Sequence, residues 1–295
     1  MEKMKLKKMD LGDVSTLIEE ALKGLKNDPI VYKEISSLSL TAKEVKDNLA
    51  TLLSYQEDVS YCSSCPGMDK CKKDNPLYEM SLFKEGGVLN REFSPCKVYL
   101  DYKEKLNRFF IRDFPIDYLN NSISSIDKDV KRNKALKRII SSLNLTTEDW
   151  VYLKGKTRSG KTYILSTFAS NFASRHQQCA YVNTSSLLEN LKKLSFDNKM
   201  EFETIFGKLK NAPLLVFDDF GNEYKSEYSF SSFLYPILLY RNEHRLRTFF
   251  ASPFSIEEVV SMYKSKIGLA FSRQLDDIIR INCKEEIDIT SVNLY

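Results

Sequence analysis

The sequence contains little histidine, little tryptophan and no long hydrophobic run. Of its 295 residues, two are His and one is Trp. The longest apolar stretch, Phe233–Tyr240, is far shorter than the roughly 18 residues that a membrane span requires. Residues 1–10 carry charge but are not followed by an apolar segment, so we expect no signal peptide and no membrane association. These absences indicate a cytoplasmic protein.

The composition is that of an ordinary globular protein, with 42% hydrophobic and 28% charged residues. A chain of this kind can bury a sizeable core, which excludes general disorder and a small disulfide-stapled scaffold. Its length favours two domains, although one large domain is also compatible with it. The net charge of +4 permits a phosphate-bearing partner but is too small to establish nucleic-acid binding.

Hydrophobic periodicity divides the chain into an N-terminal domain (1–105), a linker (106–125) and a C-terminal domain (126–295). Residues 1–57 are polar, with apolar side chains at helical spacing, so the N-terminal domain is predicted to be small and mainly helical. The C-terminal domain alternates helices, the first over Asp127–Leu143, with short apolar segments. This alternation predicts a parallel β-sheet flanked by helices, an α/β fold. The predicted strands are Trp150–Leu153, Cys179–Asn183, Leu214–Asp218, Thr248–Ser252 and Glu286–Ile289.

Residues 155–162, Gly-Lys-Thr-Arg-Ser-Gly-Lys-Thr, match the phosphate-loop pattern G-x-x-x-x-G-K-[ST]. Glycines let the backbone approach a polyphosphate, and the following helix N-terminus favours negative charge. We expect Lys161 to reach the β- and γ-phosphates of ATP and the Thr162 hydroxyl to ligate Mg²⁺. A glycine-bearing turn that binds nothing is the alternative. The predicted nucleotide-binding residues of this loop are Gly155, Arg158, Ser159, Gly160, Lys161, Thr162 and Tyr163.

Two acidic residues, Asp218 and Asp219, directly follow the apolar residues 214–217. A buried strand of this kind delivers its carboxylate to the carboxyl edge of the sheet, where α/β folds bind ligands. We expect Asp218 to hold Mg²⁺ through water and Asp219 to polarise the attacking water. A capping Asp after a strand is the alternative when this pattern is taken alone. Together with the phosphate loop, the acidic pair predicts a nucleoside triphosphatase.

Three segments indicate the kind of ATPase. Residues 218–223 read Asp-Asp-Phe-Gly-Asn-Glu, residues 234–241 read Leu-Tyr-Pro-Ile-Leu-Leu-Tyr-Arg, and residues 248–252 read Thr-Phe-Phe-Ala-Ser. Together they resemble the AAA+ helicase loaders of the DnaI type, relatives of DnaC. The resemblance implies an AAA+ ATPase domain preceded by a zinc-binding domain that contacts the helicase. It also implies an ATP-dependent loader that places the replicative ring helicase on single-stranded DNA during replication initiation and restart.

The same resemblance implies partners and additional site residues. The partners are the hexameric helicase (DnaB/DnaC type), single-stranded DNA, other primosome proteins and further copies of this chain bound through the ATPase domain. Arg273 would act on the ATP of a neighbouring copy, and Arg280 would sense nucleotide within its own chain, although both also fit a solvated helix face. Ser252 stands before Pro253, where the loaders have a polar sensor, so Ser252 would have to substitute. Asp219 replaces a longer Glu, which fits slow hydrolysis, stimulated by DNA or the partner.

Four of the six cysteines, Cys62, Cys65, Cys71 and Cys96, fall within 35 residues. A reduced cytosolic chain uses such a cluster for metal more often than for disulfides, and four thiolates suit a closed tetrahedral Zn²⁺ site. The loaders often have a histidine ligand in this region, whereas here only Glu79 or Cys71 is available, so Cys71 is the expected fourth ligand. Unliganded cysteines and a redox pair remain alternatives.

Two basic clusters are candidate DNA contacts, although a charged helix face is usually only solvated. The first contains Lys131, Arg132, Lys134, Lys137 and Arg138, and the second contains Arg241, Arg245 and Arg247.

Three other functions remain open. The first is a transposition-helper ATPase of the IstB type, which the zinc module disfavours. The second is a replication initiator, which the lack of a following duplex-binding domain disfavours. The third is a non-hydrolysing zinc adaptor, which Pro253 keeps open.

Overall fold

The computed structural model describes residues 14–126, 130–143 and 150–289. The chain separates into two compact units, Met1–Asp101 and Tyr102–Tyr295. In the described part of the chain, no helix is both long and apolar enough to cross a membrane.

The described part of the first unit contains four helices, and the second and third of them start at capping residues. Asp28 accepts backbone hydrogen bonds from Ile30 and Val31, and a proline follows Asp28 at the first helical position, where its missing N–H costs nothing. Thr41 and Glu44 form a reciprocal capping box at the start of the third helix. The four helices are α1 (Val14–Asn27), α2 (Pro29–Ser37), α3 (Ala42–Asp47) and α4 (Leu49–Ser63).

The cysteine segment of the first unit contains an antiparallel hairpin that the sequence analysis did not predict. Strands β1 (Tyr78–Glu85) and β2 (Val88–Pro95) pair with Glu85 opposite Val88. Gly86 and Gly87 form the turn, both with positive φ, as a two-residue hairpin loop requires. The buried side chains that the hairpin adds to the helical core are Met80, Leu82 and Leu89.

Helix α5 (Lys97–Arg108) contains the boundary between the units, after Asp101. The second unit contains a six-stranded sheet in the order β3-β5-β6-β7-β4-β8, in which all neighbouring strands are parallel. The strands are β3 (Phe109–Arg112), β4 (Val151–Lys154), β5 (Cys179–Asn183), β6 (Leu214–Asp218), β7 (Arg247–Ser252) and β8 (Glu286–Asp288).

The segment 106–125, predicted as a linker, is instead part of the second unit. Its strand β3 forms the edge of the sheet next to β5, and Phe109, Phe114 and Leu119 are buried in the core. The prediction was wrong because the segment is short and charged around its apolar residues, which concealed an edge strand.

Helices cover both faces of the sheet, as predicted for an α/β fold. The predicted helix Asp127–Leu143 is present from Val130 onward, and its first three residues lie outside the described ranges. A five-residue π-helical segment, Phe230–Leu234, connects α10 to α11. The helices of this unit are α6 (Val130–Leu143), α7 (Lys161–Ala173), α8 (Thr184–Asp197), α9 (Lys199–Asn211), α10 (Glu227–Ser229), α11 (Tyr235–Glu243), α12 (Ile256–Ile267) and α13 (Leu269–Asn282).

The core of the second unit positions the carboxyl edge of its central strands. Every residue of β6 is buried, and the rings of Phe217 and Phe250 stack 5.5 Å apart between neighbouring strands. Strands β4 and β6 therefore end at the same edge of the sheet. The 155–160 loop follows β4, and the pair Asp218–Asp219 lies at the end of β6.

Candidate nucleotide site and cysteine cluster

The 155–160 loop turns sharply between β4 and α7. Gly160, immediately before α7, has a φ of +89°, and Arg158 has a φ of +67°. A Cβ atom on Gly155 would lie 2.4 Å from the Ser159 Oγ and 3.0 Å from Ile289 Cγ1, so a larger residue there would require these side chains to move. The Gly155 N–H donates a 3.0 Å hydrogen bond to the Ser252 carbonyl, which ties the loop to the end of β7. This is the tight strand-to-helix turn that the phosphate-loop pattern predicts.

Lys161 begins α7 and turns back over the loop. Its Nζ donates hydrogen bonds of 2.5 Å to the Gly155 carbonyl and 3.0 Å to the Lys156 carbonyl. The side chain is largely buried. Burial lowers the pKa of Lys161, and the nearby negative charges of Asp218 and Asp219 counteract that shift. An ammonium group held at the mouth of the loop is available to a polyanion.

Thr162 and Asp218 meet across the sheet edge. The Thr162 Oγ1 donates a 2.8 Å hydrogen bond to Asp218 Oδ2, although 56 residues separate the two in sequence. Burial raises the pKa of Asp218, while the hydrogen bonds from Thr162 and Tyr181 and from the Asp219 N–H lower it. A hydroxyl and a carboxylate are oxygen ligands of the kind that Mg²⁺ prefers, so this pair fits that ion.

Tyr181 is a site residue that the sequence analysis missed. Its hydroxyl donates a 2.9 Å hydrogen bond to the same Oδ2 atom of Asp218, and the residue is fully buried. Tyr181 is in register with Val216, so its side chain lies on the face of the sheet that also carries Asp218. The available signal was a single tyrosine in an apolar strand, which could not be recognised without knowing the strand register.

Asp219 occupies a strained turn directly after β6. Its φ is +56°, a conformation that non-glycine residues seldom adopt. Its carboxylate accepts a 2.6 Å hydrogen bond from the Asn222 side-chain amide, and its carbonyl accepts one from the Asn222 N–H at 3.2 Å. The second carboxylate of the acidic pair is therefore oriented by its own loop.

Ser252, the expected sensor, makes hydrogen bonds within the protein. Its Oγ donates to the Phe220 carbonyl at 2.7 Å and accepts from the Phe254 N–H at 3.0 Å, and the residue is completely buried. These contacts join β7 to the loop after β6. Tyr163, by contrast, is partly exposed, and its ring packs edge-on against Tyr118 at 5.2 Å.

Arg273 and Arg280 are both exposed on α13. The Arg280 Nε donates a 2.5 Å hydrogen bond to Asp276 Oδ1, one helical turn earlier. The seven-residue spacing puts the two arginines on one face of the helix.

Arg241, one of the candidate DNA contacts, is completely buried, and that expectation was wrong. Its guanidinium donates to the carbonyls of Leu209, Lys210, Ala212 and Arg247 and to the Thr248 hydroxyl. Burial lowers the pKa of Arg241 to about 9, so the group still carries its charge at neutral pH. It therefore joins the carbonyl end of α9 to the start of β7.

An exposed aromatic pair lies at the ends of α8 and α10. Phe196 is 72% exposed and Tyr228 is 43% exposed, and their rings stack with centroids 6.1 Å apart. Three exposed lysines, Lys192, Lys193 and Lys199, flank Phe196 in sequence. This surface combines aromatic faces with positive charge.

In the first unit, the four clustered cysteines line a single cavity of about 250 Å³. The Cys71 thiol accepts backbone hydrogen bonds from Leu77 and Lys73, which lower its pKa. The Lys73 Nζ lies 3.3 Å from the Cys62 sulfur and 2.7 Å from Asp58 Oδ1. Four thiols around one space fit Zn²⁺ in their donor chemistry. Within the ranges that the structure covers, however, no three potential ligands are gathered closely enough to hold a metal ion.

No protein-family model matches the chain. The chain is similar to the replicative helicase loader DnaI of Bacillus subtilis (strain 168), with 25% identity over 273 residues, covering 88% of this chain and 80% of that protein. It is also similar to the crystal structure of DnaI, with a TM-score of 0.54 and 26% identity over 62% of this chain and 98% of the other.

A second structure, described provisionally as a primosome component from Streptococcus pyogenes serotype M3, matches with a TM-score of 0.52 and 22% identity. The match covers 63% of this chain and 94% of the Streptococcus pyogenes chain, and at this level of identity it supports the fold alone. The expected α/β fold and the resemblance to DnaI-type loaders are both confirmed.

Proposed function

We propose that the chain is an ATP-dependent loader that places the replicative ring helicase on single-stranded DNA during replication initiation and restart. Its similarity to the DnaI loader over most of both chains supports a helicase-loader role. The observation that carries the ATP dependence is the convergence of Lys161, Thr162 and Asp218 at one sheet edge. A loader of this kind acts in the cytoplasm, where it meets the helicase.

The proposed site divides the work among four side chains. Lys161 binds the β- and γ-phosphates, while Thr162 and Asp218 hold Mg²⁺. The ion, when bound, neutralises phosphate charge. Asp219 orients the attacking water through a carboxylate that Asn222 restrains. The loop amides from Gly155 to Thr162 surround the phosphates, and Arg158, Ser159 and Gly160 shape that cradle. Tyr163 and Ser252 contribute by packing beside it.

Hydrolysis is proposed to need a second copy of the chain. The exposed position of Arg273 on α13 suits a guanidinium that reaches the ATP of a neighbouring protomer. Such a group stabilises charge that develops on the transferred phosphate. Arg280 would sense nucleotide in its own chain only after leaving Asp276. Turnover should therefore be slow in the isolated protein and faster with DNA or the helicase.

The cysteine cavity is proposed to bind one Zn²⁺ through Cys62, Cys65, Cys71 and Cys96. Support comes from the shared cavity and from the N–H groups directed at Cys71, which favour a thiolate. A closed four-thiolate site contributes folding free energy to a small unit. The unit that contains this cavity would contact the helicase, by analogy with the loaders.

Single-stranded DNA is proposed to bind at Phe196 and Tyr228. Proteins that hold single strands combine stacking on aromatic side chains with a positively charged track for the backbone. The exposure of both rings and the lysines around Phe196 supply these two elements. This surface replaces the cluster around Arg241 as the candidate DNA contact.

The test of the ATP site is the Lys161→Ala variant, with the exposed Lys208→Ala on α9 as its control. Loss of a charge-assisted contact to phosphate should weaken ATP binding by about 10- to 100-fold, measured by titration with a fluorescent ATP analogue. Helicase retention in a pull-down should lose its ATP dependence at the same time. Equal ATP affinity and retention in wild type and Lys161→Ala would contradict this function.

Measurements of ATP hydrolysis and of helicase retention distinguish the alternative functions. A non-hydrolysing zinc adaptor would show no ATP hydrolysis with or without single-stranded DNA and helicase. An IstB-type transposition helper or an initiator would hydrolyse ATP without retaining the helicase. A loader requires both activities in the same preparation.

A further inference from the structure

A buried carboxylate lies close to the proposed site but is not one of its ligands. Glu223 ends the Asp-Asp-Phe-Gly-Asn-Glu segment, and its side chain has no exposed surface. Its Oε2 accepts a 2.6 Å hydrogen bond from the Gly221 N–H. Its Oε1 accepts a 2.7 Å hydrogen bond from the hydroxyl of Tyr263 in α12. One carboxylate thus joins the loop after β6 to a helix 40 residues away.

The other groups around this carboxylate strengthen the same connection. Lys225 lies 3.8 Å from Glu223 Oε1 and donates to the carbonyls of Gly221 and Glu223 at 2.5 and 2.9 Å. The Lys225 ammonium also lies over the ring of Tyr263, 5.4 Å from its centroid. Burial keeps the pKa of Tyr263 well above its usual range, so its hydroxyl retains the proton that it donates.

The backbone of the loop fits closely against the same helix. Gly221 has a φ of +96°, and a Cβ atom there would lie 2.8 Å from Val259 Cγ2. Val259 and Tyr263 are four residues apart on one face of α12. The turn that carries Asp219 is therefore fixed from two points of α12, one apolar and one hydrogen-bonded. Helix α13, with Arg273, follows directly after Gly268.

We propose that Glu223 is a positioning residue: held by Tyr263, it fixes the turn that orients Asp219 and couples α12 to ATP hydrolysis. The inference rests on the proposed ATPase function and deepens it. Glu223 does not touch the phosphates in this account. Its role is to keep the Asp219 carboxylate in the geometry that the reaction needs, so its loss affects turnover more than nucleotide binding.

The test compares Tyr263→Phe, which removes only the hydroxyl, with Tyr240→Phe as a matched control. Tyr240 also donates one hydrogen bond, to Asn211 Oδ1 at 2.7 Å, but not to this loop. In Tyr263→Phe, kcat should fall about 10- to 100-fold, while the dissociation constant for ATP changes less than about twofold. An unchanged kcat, or an equal loss of kcat and affinity, would overturn the inference.

A second variant tests whether the two residues act as one unit. Glu223→Gln keeps the volume of the side chain but exchanges one acceptor oxygen for a donor. If the residues act through a shared hydrogen bond, the effects of Glu223→Gln and Tyr263→Phe on kcat should be strongly non-additive in the double variant. Additive effects would show that Glu223 does not act through Tyr263 and would overturn the coupling.

Hydrogen exchange separates this inference from the proposed function. The amide of Gly221 and its neighbours in 219–223 should exchange faster in Tyr263→Phe than in Tyr240→Phe, with or without ATP. A wild-type protein that binds and hydrolyses no ATP would overturn the proposed function, whereas identical exchange in the two variants would overturn the link between Glu223 and α12.

Discussion

The hydroxyl of Tyr181 and the carboxylate of Asp218 are joined by a 2.9 Å hydrogen bond in the buried centre of the second unit. The accepting atom, Oδ2, also accepts from Thr162 at 2.8 Å, while Oδ1 accepts from the Asp219 N–H at 2.9 Å. Three donors therefore hold one carboxylate in a single orientation. Orientation of this kind matters most for a group that must present an oxygen to a metal ion.

Tyr181→Phe should weaken the Mg²⁺ dependence of nucleotide binding. The variant removes one hydrogen bond to an ionised group, worth about 1.5–3 kcal/mol, so the Mg²⁺ concentration for half-maximal ATP binding should rise by about tenfold or more. The measurement is a titration of Mg²⁺ against a fluorescent ATP analogue. Tyr152→Phe is the control, because its hydroxyl donates to the Phe254 carbonyl. A Mg²⁺ requirement equal to that of this control would contradict the role of Tyr181.

Arg241→Met should destabilise the second unit by about 3–5 kcal/mol, because it leaves several buried carbonyl groups without their donor. Urea unfolding can be followed through Trp150, the single tryptophan of the chain, which is buried in this unit. Arg245→Met, at an exposed position four residues later, is the control and should leave the midpoint nearly unchanged. Equal midpoints for the two variants would show that the guanidinium is not a structural link.

The sequence allowed the local parts of the site to be predicted but not the contacts between them. The phosphate loop and the Asp218–Asp219 pair are short patterns with a defined place at a strand end, and the strands Cys179–Asn183 and Leu214–Asp218 were predicted with the observed bounds. Tyr181 and the Glu223–Tyr263 pair depend on strand register and helix packing, which bring together residues 37 and 40 positions apart.

Two other differences between the sequence-based predictions and the structure have equally specific causes. Arg241 was grouped with Arg245 and Arg247 because nearby arginines usually share a solvated surface, yet its guanidinium satisfies the end of α9 in the core. The β1–β2 hairpin was missed although Gly86 and Gly87 are a turn signal, because the flanking cysteines favoured an irregular metal-binding loop.

Phe196→Ala should weaken binding of single-stranded DNA by the loss of one stacked base, about 1–3 kcal/mol. The dissociation constant for a labelled oligonucleotide should therefore rise about 5- to 100-fold in fluorescence anisotropy. Its salt dependence should keep the same slope, because the lysines that contact phosphates remain. Met200→Ala, on the neighbouring helix and 81% exposed, is the control. Equal affinities for the two variants would exclude Phe196 as a stacking residue.

Cys96→Ser should remove bound zinc from the purified full-length protein. Elemental analysis should find about one Zn²⁺ per chain in the wild type, as for a closed four-thiolate site, and markedly less in Cys96→Ser. Cys283→Ser, which changes a buried cysteine of the second unit, should retain the full amount. A wild-type protein that contains no zinc when purified without chelators would exclude the site and favour unliganded cysteines.

Glu44 should make the N-terminal end of α3 sensitive to acid. The salt bridge with Lys84, 2.7 Å long, is the main cause that lowers the pKa of Glu44 to about 2, and hydrogen bonds from Thr41 add to it. Because the folded pKa lies below the unfolded value, the stabilisation is complete above about pH 4.5 and is lost as the pH falls towards 2.

Glu44→Gln should therefore speed hydrogen exchange in residues 42–47 at pH 6, while near pH 2 the variant and the wild type should exchange alike. The difference in protection between the two proteins should shrink progressively as the pH falls through this window, since the wild-type carboxylate becomes protonated there. Glu85→Gln, in the turn region of the hairpin, is the control and should match the wild type at both pH values. A difference between Glu44→Gln and the wild type that persists undiminished at pH 2 would mean that packing, and not the charge on Glu44, stabilises the start of α3.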